Sequence, residues 1–384
     1  MGAGPPLAFT GLIAAGLLLL WVPGRWAFTF VQVGLSILAG VWLVRSTLLA
    51  APPRLDWLLV APAGAALWGV LQLVAGASIY PWATEQATWD WFYRFVAYFV
   101  ALQCFRAGAD RERALAGLLW FGFALAVLAT VQRFTAPGKV FWLFDTGEPT
   151  AMGPFVYYNQ YAAFIETVLP LALLGALERR SRSWLYGLMG AAMIASVAAA
   201  GSRAGAALLA AETLIVPWLW MRRTGASWRR LAPAAAALFL ATGLAAALGW
   251  GTLLEKLRRP DPWGERRHLT LASIDMARER PGLGFGLGAW AIAYPAYARF
   301  DDGLFDNQAH NDWAQWAAEG GLPFLALLLG LAFTVGRRAA GCARWVGPAA
   351  VLAHALVDYP FQQRPAFGYY WFALTGLLAA GRPQ

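Results

Sequence analysis

Apolar residues fill most of the chain in blocks of about 20, the length a helix needs to cross a bilayer core. Polar residues are confined to short connections between the blocks. This pattern predicts about twelve spans, near 7–22, 27–49, 55–77, 91–107, 113–134, 157–178, 183–201, 204–221, 231–250, 312–336, 344–359 and 366–381. One interval breaks the rhythm: 251–311 is a long polar segment ending in His310-Asn311-Asp312, directly against a new apolar run. The first run, Leu7 to Val22, lacks a basic segment before it and a small-residue cleavage site after it, so it reads as a span. No segment repeats and no Gly/Ser linker divides the chain. The expected fold class is an all-α polytopic membrane protein, one transmembrane domain over 1–384 with a mostly helical loop region inserted at 251–311.

Composition agrees. With 59% hydrophobic and 13% charged residues and a mean hydropathy of +0.51, the chain cannot cover a water-soluble surface. Its 21 Trp suit the interfacial belts of a membrane protein. A net charge of +9 would suggest nucleic acid in a soluble protein; here most of it sits in short connections and marks topology. Two cysteines, Cys104 and Cys342, offer no disulfide or zinc framework.

Arginine placement sets the orientation. Alternate connections carry Arg45 and Arg54; Arg106, Arg111 and Arg113; Arg179, Arg180 and Arg182; Arg222, Arg223, Arg229 and Arg230; Arg337, Arg338 and Arg344; and Arg382. Those connections are expected inside, with both termini. The opposite set is nearly bare: Arg25, Arg133 with Lys139, Arg203 and Arg364. The long segment falls on that outer side, yet it holds Lys256, Arg258, Arg259, Arg266, Arg267, Arg278, Arg280 and Arg299. Anionic headgroups or a phosphate-bearing substrate are the natural counter-charges; a solvated basic surface is the plainer account.

His310 leads the candidate chemistry. Asn311 and Asp312 are good helix caps, which puts the imidazole at a helix N-terminus on the outer face, where a neutral His can serve as general base. A capping imidazole without chemistry is the competing account. Arg203 sits in a tight outer turn, Gly201-Ser202-Arg203-Ala204-Gly205, and Arg266 opens an amphipathic stretch ending at Pro281. Guanidinium groups converging on one point suit a diphosphate. Asn159 and Glu166 lie on or beside one face of a helix and could orient a sugar hydroxyl. His268 and His354 have weaker context. Pro281-Gly282-Leu283-Gly284-Phe285-Gly286-Leu287-Gly288 looks like a phosphate-binding glycine run, but no strand precedes it, and it reads as a flexible or tightly packed re-entry toward the membrane. Asp301, Asp302 and Asp306 are more simply solvated acids than a metal site.

Several of these stretches resemble the O-antigen ligase and polymerase superfamily. They are Gly201 to Gly205, Arg266 with the following Pro281 to Gly286, His310-Asn311 with Glu319-Gly320, Met152 to Asn159, and His354 to Pro360, in that family's order and spacing. The resemblance implies a C-type glycosyltransferase fold. It also implies a glycan donor on undecaprenyl diphosphate, a sugar hydroxyl of lipid A-core or of another chain as acceptor, and a reaction without metal or cofactor on the periplasmic face of a bacterial inner membrane. By position, Arg203 and Arg266 would hold the diphosphate and His310 would activate the acceptor. The aromatic residue expected four positions after the loop arginine is Thr270 here, so Arg267 is the alternative counterpart. Asn159, Asn311 and Arg133 complete the substrate-binding candidates.

A ligase transferring to lipid A-core is the leading expectation, with a repeat-unit polymerase second and a transferase to protein hydroxyls third. A transporter is the rival from another class. It predicts charged or broken helices near the bilayer midplane, for which Arg94 and Asp358 are the best residues, and repeated halves, which are absent.

Overall fold

The apolar blocks become helices because a bilayer core supplies no hydrogen-bond partners and a helix satisfies its own backbone. In the computed structural model the described residues are 4–227, 264–299, 303 and 305–381, with single positions 232, 236, 239, 240 and 243. The expected span at 231–250 therefore lies almost wholly outside the described residues, as do Arg229, Arg230, Lys256, Arg258, Arg259, Asp301, Asp302 and Arg382.

The described helices are α1 (Gly4–Leu18), α2 (Trp26–Leu48), α3 (Val60–Val74), α4 (Pro81–Cys104), α5 (Gly108–Thr135), α6 (Tyr158–Glu178), α7 (Ser183–Ala200), α8 (Arg203–Thr224), α9 (Gly264–Glu279), α10 (Trp290–Ala293), α11 (Asp312–Gly341), α12 (Val346–His354) and α13 (Pro365–Ala379). Among the described residues, seven helical segments are long and apolar enough to cross a membrane. The protein is thus all-α and polytopic. Its one sheet among the described residues is a hairpin between α5 and α6, with Lys139 opposite Asp145 and Val140 opposite Phe144.

Two elements depart from the expected spans. α4 begins at Pro81 rather than near 91, because its first turns carry Thr84, Glu85 and Asp90 and so hide from a hydropathy reading. α12 ends at His354 instead of running to 359; its 9 residues span only about 13 Å at 1.5 Å each. The chain then turns through Asp358-Tyr359-Pro360 toward α13.

α6 and α13 form the centre. Asn159 to Leu177 are buried except Leu171, and so is every residue from Ala366 to Ala379. α2 stands at the periphery, with Trp26, Phe30 and Ile37 exposed in the manner of a lipid-facing surface. A second, smaller core lies under the long loop, where Leu269, Met276, Phe285, Trp290 and Tyr294 pack with Ala318 of α11.

That loop is spliced into α11. At Gly321 the backbone leaves the helix (φ 76, ψ 179), and Pro323 opens the second piece where a missing N–H costs nothing. The break frees carbonyls that would be orphaned in a membrane. Phe285 N–H donates to the Ala318 carbonyl (3.1 Å) and Gly286 N–H to that of Glu319 (2.9 Å). From α3, Gln72 Nε2 also donates to Glu319 O (2.8 Å) and Trp68 Nε1 to Gly320 O (2.9 Å). Leu322 N–H returns to Pro281 O at 2.8 Å. The approach demands glycine: a Cβ on Gly284 (φ +68) would stand 2.3 Å from Glu319 O, and one on Gly321 2.3 Å from Gly282 O. The glycine run is therefore a tightly packed re-entry whose amides at 285 and 286 are spent on α11.

Candidate active site

The site forms where α6, α8 and α11 begin and α12 ends. Asn311 caps α11, its side chain accepting from Ala314 N–H at 3.0 Å. Asp312 N–H then donates to the carbonyls of Ala355 (2.9 Å) and Asp358 (3.2 Å), and Phe361 N–H donates to Asp312 Oδ2 (3.1 Å). These bonds lace the start of α11 to the turn after α12. They carry His310, in the left-handed region at φ +50, against Asp358. A non-glycine residue there is held by its surroundings and marks a constrained position.

Asp358 is the hub. Its carboxylate accepts from Tyr157 Oη (2.9 and 3.1 Å), from Asn159 Nδ2 and from Tyr359 N–H (2.9 Å), and it pairs with Arg266 Nη2 at 3.0 Å. A buried carboxylate is tolerated only with such a set of donors. His310 Nδ1 stands 4.0 Å from the same carboxylate. Its ring meets Tyr359 edge-on at 4.5 Å between centroids, and Tyr359 stacks on Tyr157 at 5.0 Å. Burial lowers the imidazole pKa to about 4, Asp358 opposing the shift and Arg266 adding to it. His310 is thus a neutral imidazole at physiological pH, with a buried Nδ1 turned to a carboxylate just beyond hydrogen-bond distance.

Arg266 lies on the first turn of α9. Besides Asp358 it donates from Nη1 to Val357 O at 2.7 Å. Burial works against its charge, and Asp358 with the neighbouring tyrosines more than offsets this, raising its pKa. Arg203 is the first residue of α8. Gly201 ends α7 in the left-handed region, and Ser202 caps α8 through Gly205 N–H at 3.1 Å. Gly205 allows a close approach to α6, where an added Cβ would sit 2.5 Å from Ala162 Cβ. Arg203, Arg266 and Asp358 all lie within electrostatic reach of the Tyr158 hydroxyl. The two arginines read from the sequence therefore converge on the cluster that holds His310.

The other candidates are placed differently. Asn159 joins the hub directly, while Glu166 does not share its partner: its carboxylate meets His354 Nδ1 at 2.6 Å in a fully buried pair. Asn311 spends its side-chain oxygen on the α11 cap. Arg267 is exposed on α9, as is His268. Arg133 lies at the end of α5 and donates to Pro149 O, tying down the connection to α6. Arg94, a transporter candidate, is buried over Trp91 with Nη2 on Phe361 O at 3.0 Å, and so braces the chain beside the hub. Among the described residues no group of three His, Cys, Asp or Glu is placed to hold a metal.

The residue missed from the sequence site is Asp358, together with Tyr157 and Tyr359. Its signal is an acid within an apolar stretch four residues after His354, but only the early end of α12 shows that it lies in a turn facing the loop.

Fold and site define a multi-pass membrane protein with a His–carboxylate–arginine cluster at one end of its helices. A family model described as O-antigen ligase matches residues 188–329, which bears out the resemblance to the O-antigen ligase and polymerase superfamily. The matched interval holds Arg203, Arg266, the glycine run and His310; Tyr157, Asn159 and Asp358 lie outside it. No curated protein matches the chain.

Proposed function

We propose that this is an O-antigen ligase-type glycosyltransferase. It moves a glycan from undecaprenyl diphosphate to a sugar hydroxyl of lipid A-core, on the periplasmic face of a bacterial inner membrane. The reading takes the chain as one transmembrane domain of C-type glycosyltransferase kind, with 251–311 as its catalytic loop. The observation that carries it is His310 Nδ1 turned toward Asp358 at 4.0 Å, with Arg266 on the same carboxylate.

With Nδ1 given to Asp358, Nε2 is the nitrogen for the acceptor hydroxyl. The hydroxyl oxygen attacks the anomeric carbon, its proton passes to Nε2, and the bond from that carbon to the diphosphate breaks. Asp358 stabilises the imidazolium as it forms, the gap closing as apo contacts at catalytic sites commonly do. Charge grows on the departing diphosphate, so guanidinium groups from Arg203 and Arg266 favour the transition state over the ground state. Arg266 is anchored by Asp358 and the Val357 carbonyl, which fixes its planar fork beside His310 for a phosphate group. Arg267, Asn159, Asn311 and Arg133 remain as further contacts. A single displacement inverts the anomeric centre, and the step draws on no metal or cofactor.

The test is transfer in proteoliposomes supplied with a lipid-diphosphate glycan and lipid A-core. Wild type should form capped lipid A-core with EDTA present, and His310→Ala and Arg203→Ala should not. Products lengthened by repeat units without lipid A-core would assign the polymerase instead, and normal turnover in both variants would sink the site.

A further inference from the structure

At the opposite ends of the same helices lies a second charged feature. A cavity of about 770 Å³ opens between the start of α5, the ends of α6, α8 and α11, and the 343–345 turn. α6 runs 21 residues from the hub to this end, about 30 Å at 1.5 Å per residue, so the two features face opposite sides of the bilayer. Four arginines line the cavity, Arg111, Arg222, Arg223 and Arg344, against one carboxylate, Glu178, and the Arg222 guanidinium also lies 4.8 Å over the Trp218 ring. Arg344 is held by Glu112 through contacts of 2.6 and 3.1 Å. Among the described residues no carboxylate is ion-paired with Arg111, Arg222 or Arg223.

Arginines at this end serve topology, but topology asks only that they be present. It does not ask that α5, α8 and the 343–345 turn bring them to one hollow. The cavity's inner wall is apolar, formed by Leu174, Leu219, Trp220 and Leu378. Leu174 is four residues from Glu178, about 6 Å further into the bilayer. An arginine-lined mouth over an apolar wall matches a phosphate headgroup with the start of its acyl chains below it.

We infer that this cavity binds an anionic phospholipid on the membrane face opposite the active site. The ligand class is a phosphodiester lipid of that leaflet; a free phosphate shares the headgroup chemistry but has nothing to place against Leu174, Leu219 and Leu378.

Native mass spectrometry of the full-length protein in detergent, titrated with phosphatidylglycerol or phosphatidylcholine, tests this. Wild type should take up one phosphatidylglycerol in preference to phosphatidylcholine. An arginine beside an anionic headgroup is worth about fivefold in affinity, so Arg111→Gln/Arg223→Gln should weaken binding roughly 20-fold. Arg180→Gln/Arg182→Gln removes equal charge from the same face outside the cavity and should leave binding unchanged. Excess inorganic phosphate should leave the lipid bound. Equal loss in both double variants would mean general surface charge, displacement by phosphate would mean a simple anion site, and either overturns the inference. A melting temperature in neutral detergent matching wild type confirms that the cavity variant folds. If it does not, Arg223→Gln alone, on an exposed side chain, should still show about a fivefold fall, and no fall overturns the inference.

Discussion

His310 Nδ1 and Asp358 Oδ1 face each other at 4.0 Å, and among the described residues that nitrogen has no hydrogen-bond partner. The pairing assigns Asp358 to the imidazolium, so Asp358→Asn should cut transfer by about 100-fold or more while keeping the side chain's shape. It also leaves Arg266 buried without its counter-charge, at a cost of about 3–5 kcal/mol for a fully buried pair and less here because Arg266 keeps partial exposure. Turnover and thermal unfolding, measured together, separate the two losses. Wild-type turnover in a well-folded Asp358→Asn protein would remove Asp358 from the mechanism.

Acid should spare the base. Burial brings His310 to about 4 from an ordinary 6.5, and its neutral form is the one that accepts a proton. On lowering the pH, His310 therefore stays active through the range where an exposed histidine would be protonated. The acid limb of kcat/KM should fall below pH 5, and a limb centred near 6.5 would contradict the burial.

The two adjacent loop arginines should differ. Arg266 divides its fork between Asp358 and Val357, which a lysine cannot reproduce, so Arg266→Lys should lose about 10-fold or more in kcat/KM. Exposed Arg267 should tolerate lysine with a change of a few-fold. The reverse order would make Arg267 the diphosphate ligand.

Glycine substitutions should divide by backbone rather than by position in the run. Gly284→Ala places a Cβ against Glu319 O and forces a positive φ, and should lower stability by about 1–3 kcal/mol. Gly282→Ala meets nothing within 4 Å and should unfold at the wild-type temperature. Melting curves of the two variants in detergent decide the matter.

Most helices were legible because lipid enforces a single requirement on them, apolar length. The exceptions are instructive. The first turns of α4 are hidden because their polar residues are satisfied by tertiary partners, Asp90 accepting from Tyr369 Oη at 2.7 Å. The end of α12 is hidden because nothing in Ala355-Leu356-Val357 announces the turn that frees Asp358. Arg203 and His310 stand out because each sits at a boundary between apolar and polar chain, and Arg266 because it opens an amphipathic stretch within the polar segment. Asp358 and its tyrosines do not, because their role depends on the start of α11 and the turn after α12, 46 residues apart at Asp312 and Asp358, being laced by backbone bonds. Glu166 was joined to the wrong partner for a related reason: one helix face says which side chains point together, not which neighbour meets them.

The splice between the glycine run and α11 has an evolutionary consequence. Because the loop completes the hydrogen bonding of a broken helix, the segment from Pro281 to Trp290 cannot gain or lose a residue without unpairing carbonyls inside the membrane. Length variation in this connection must be absorbed elsewhere, and the exposed positions 298 and 299 just after Tyr297 are the natural place. Relatives of this chain should accordingly keep a fixed spacing from their loop arginine to the helix break while differing freely in the stretch just ahead of the histidine.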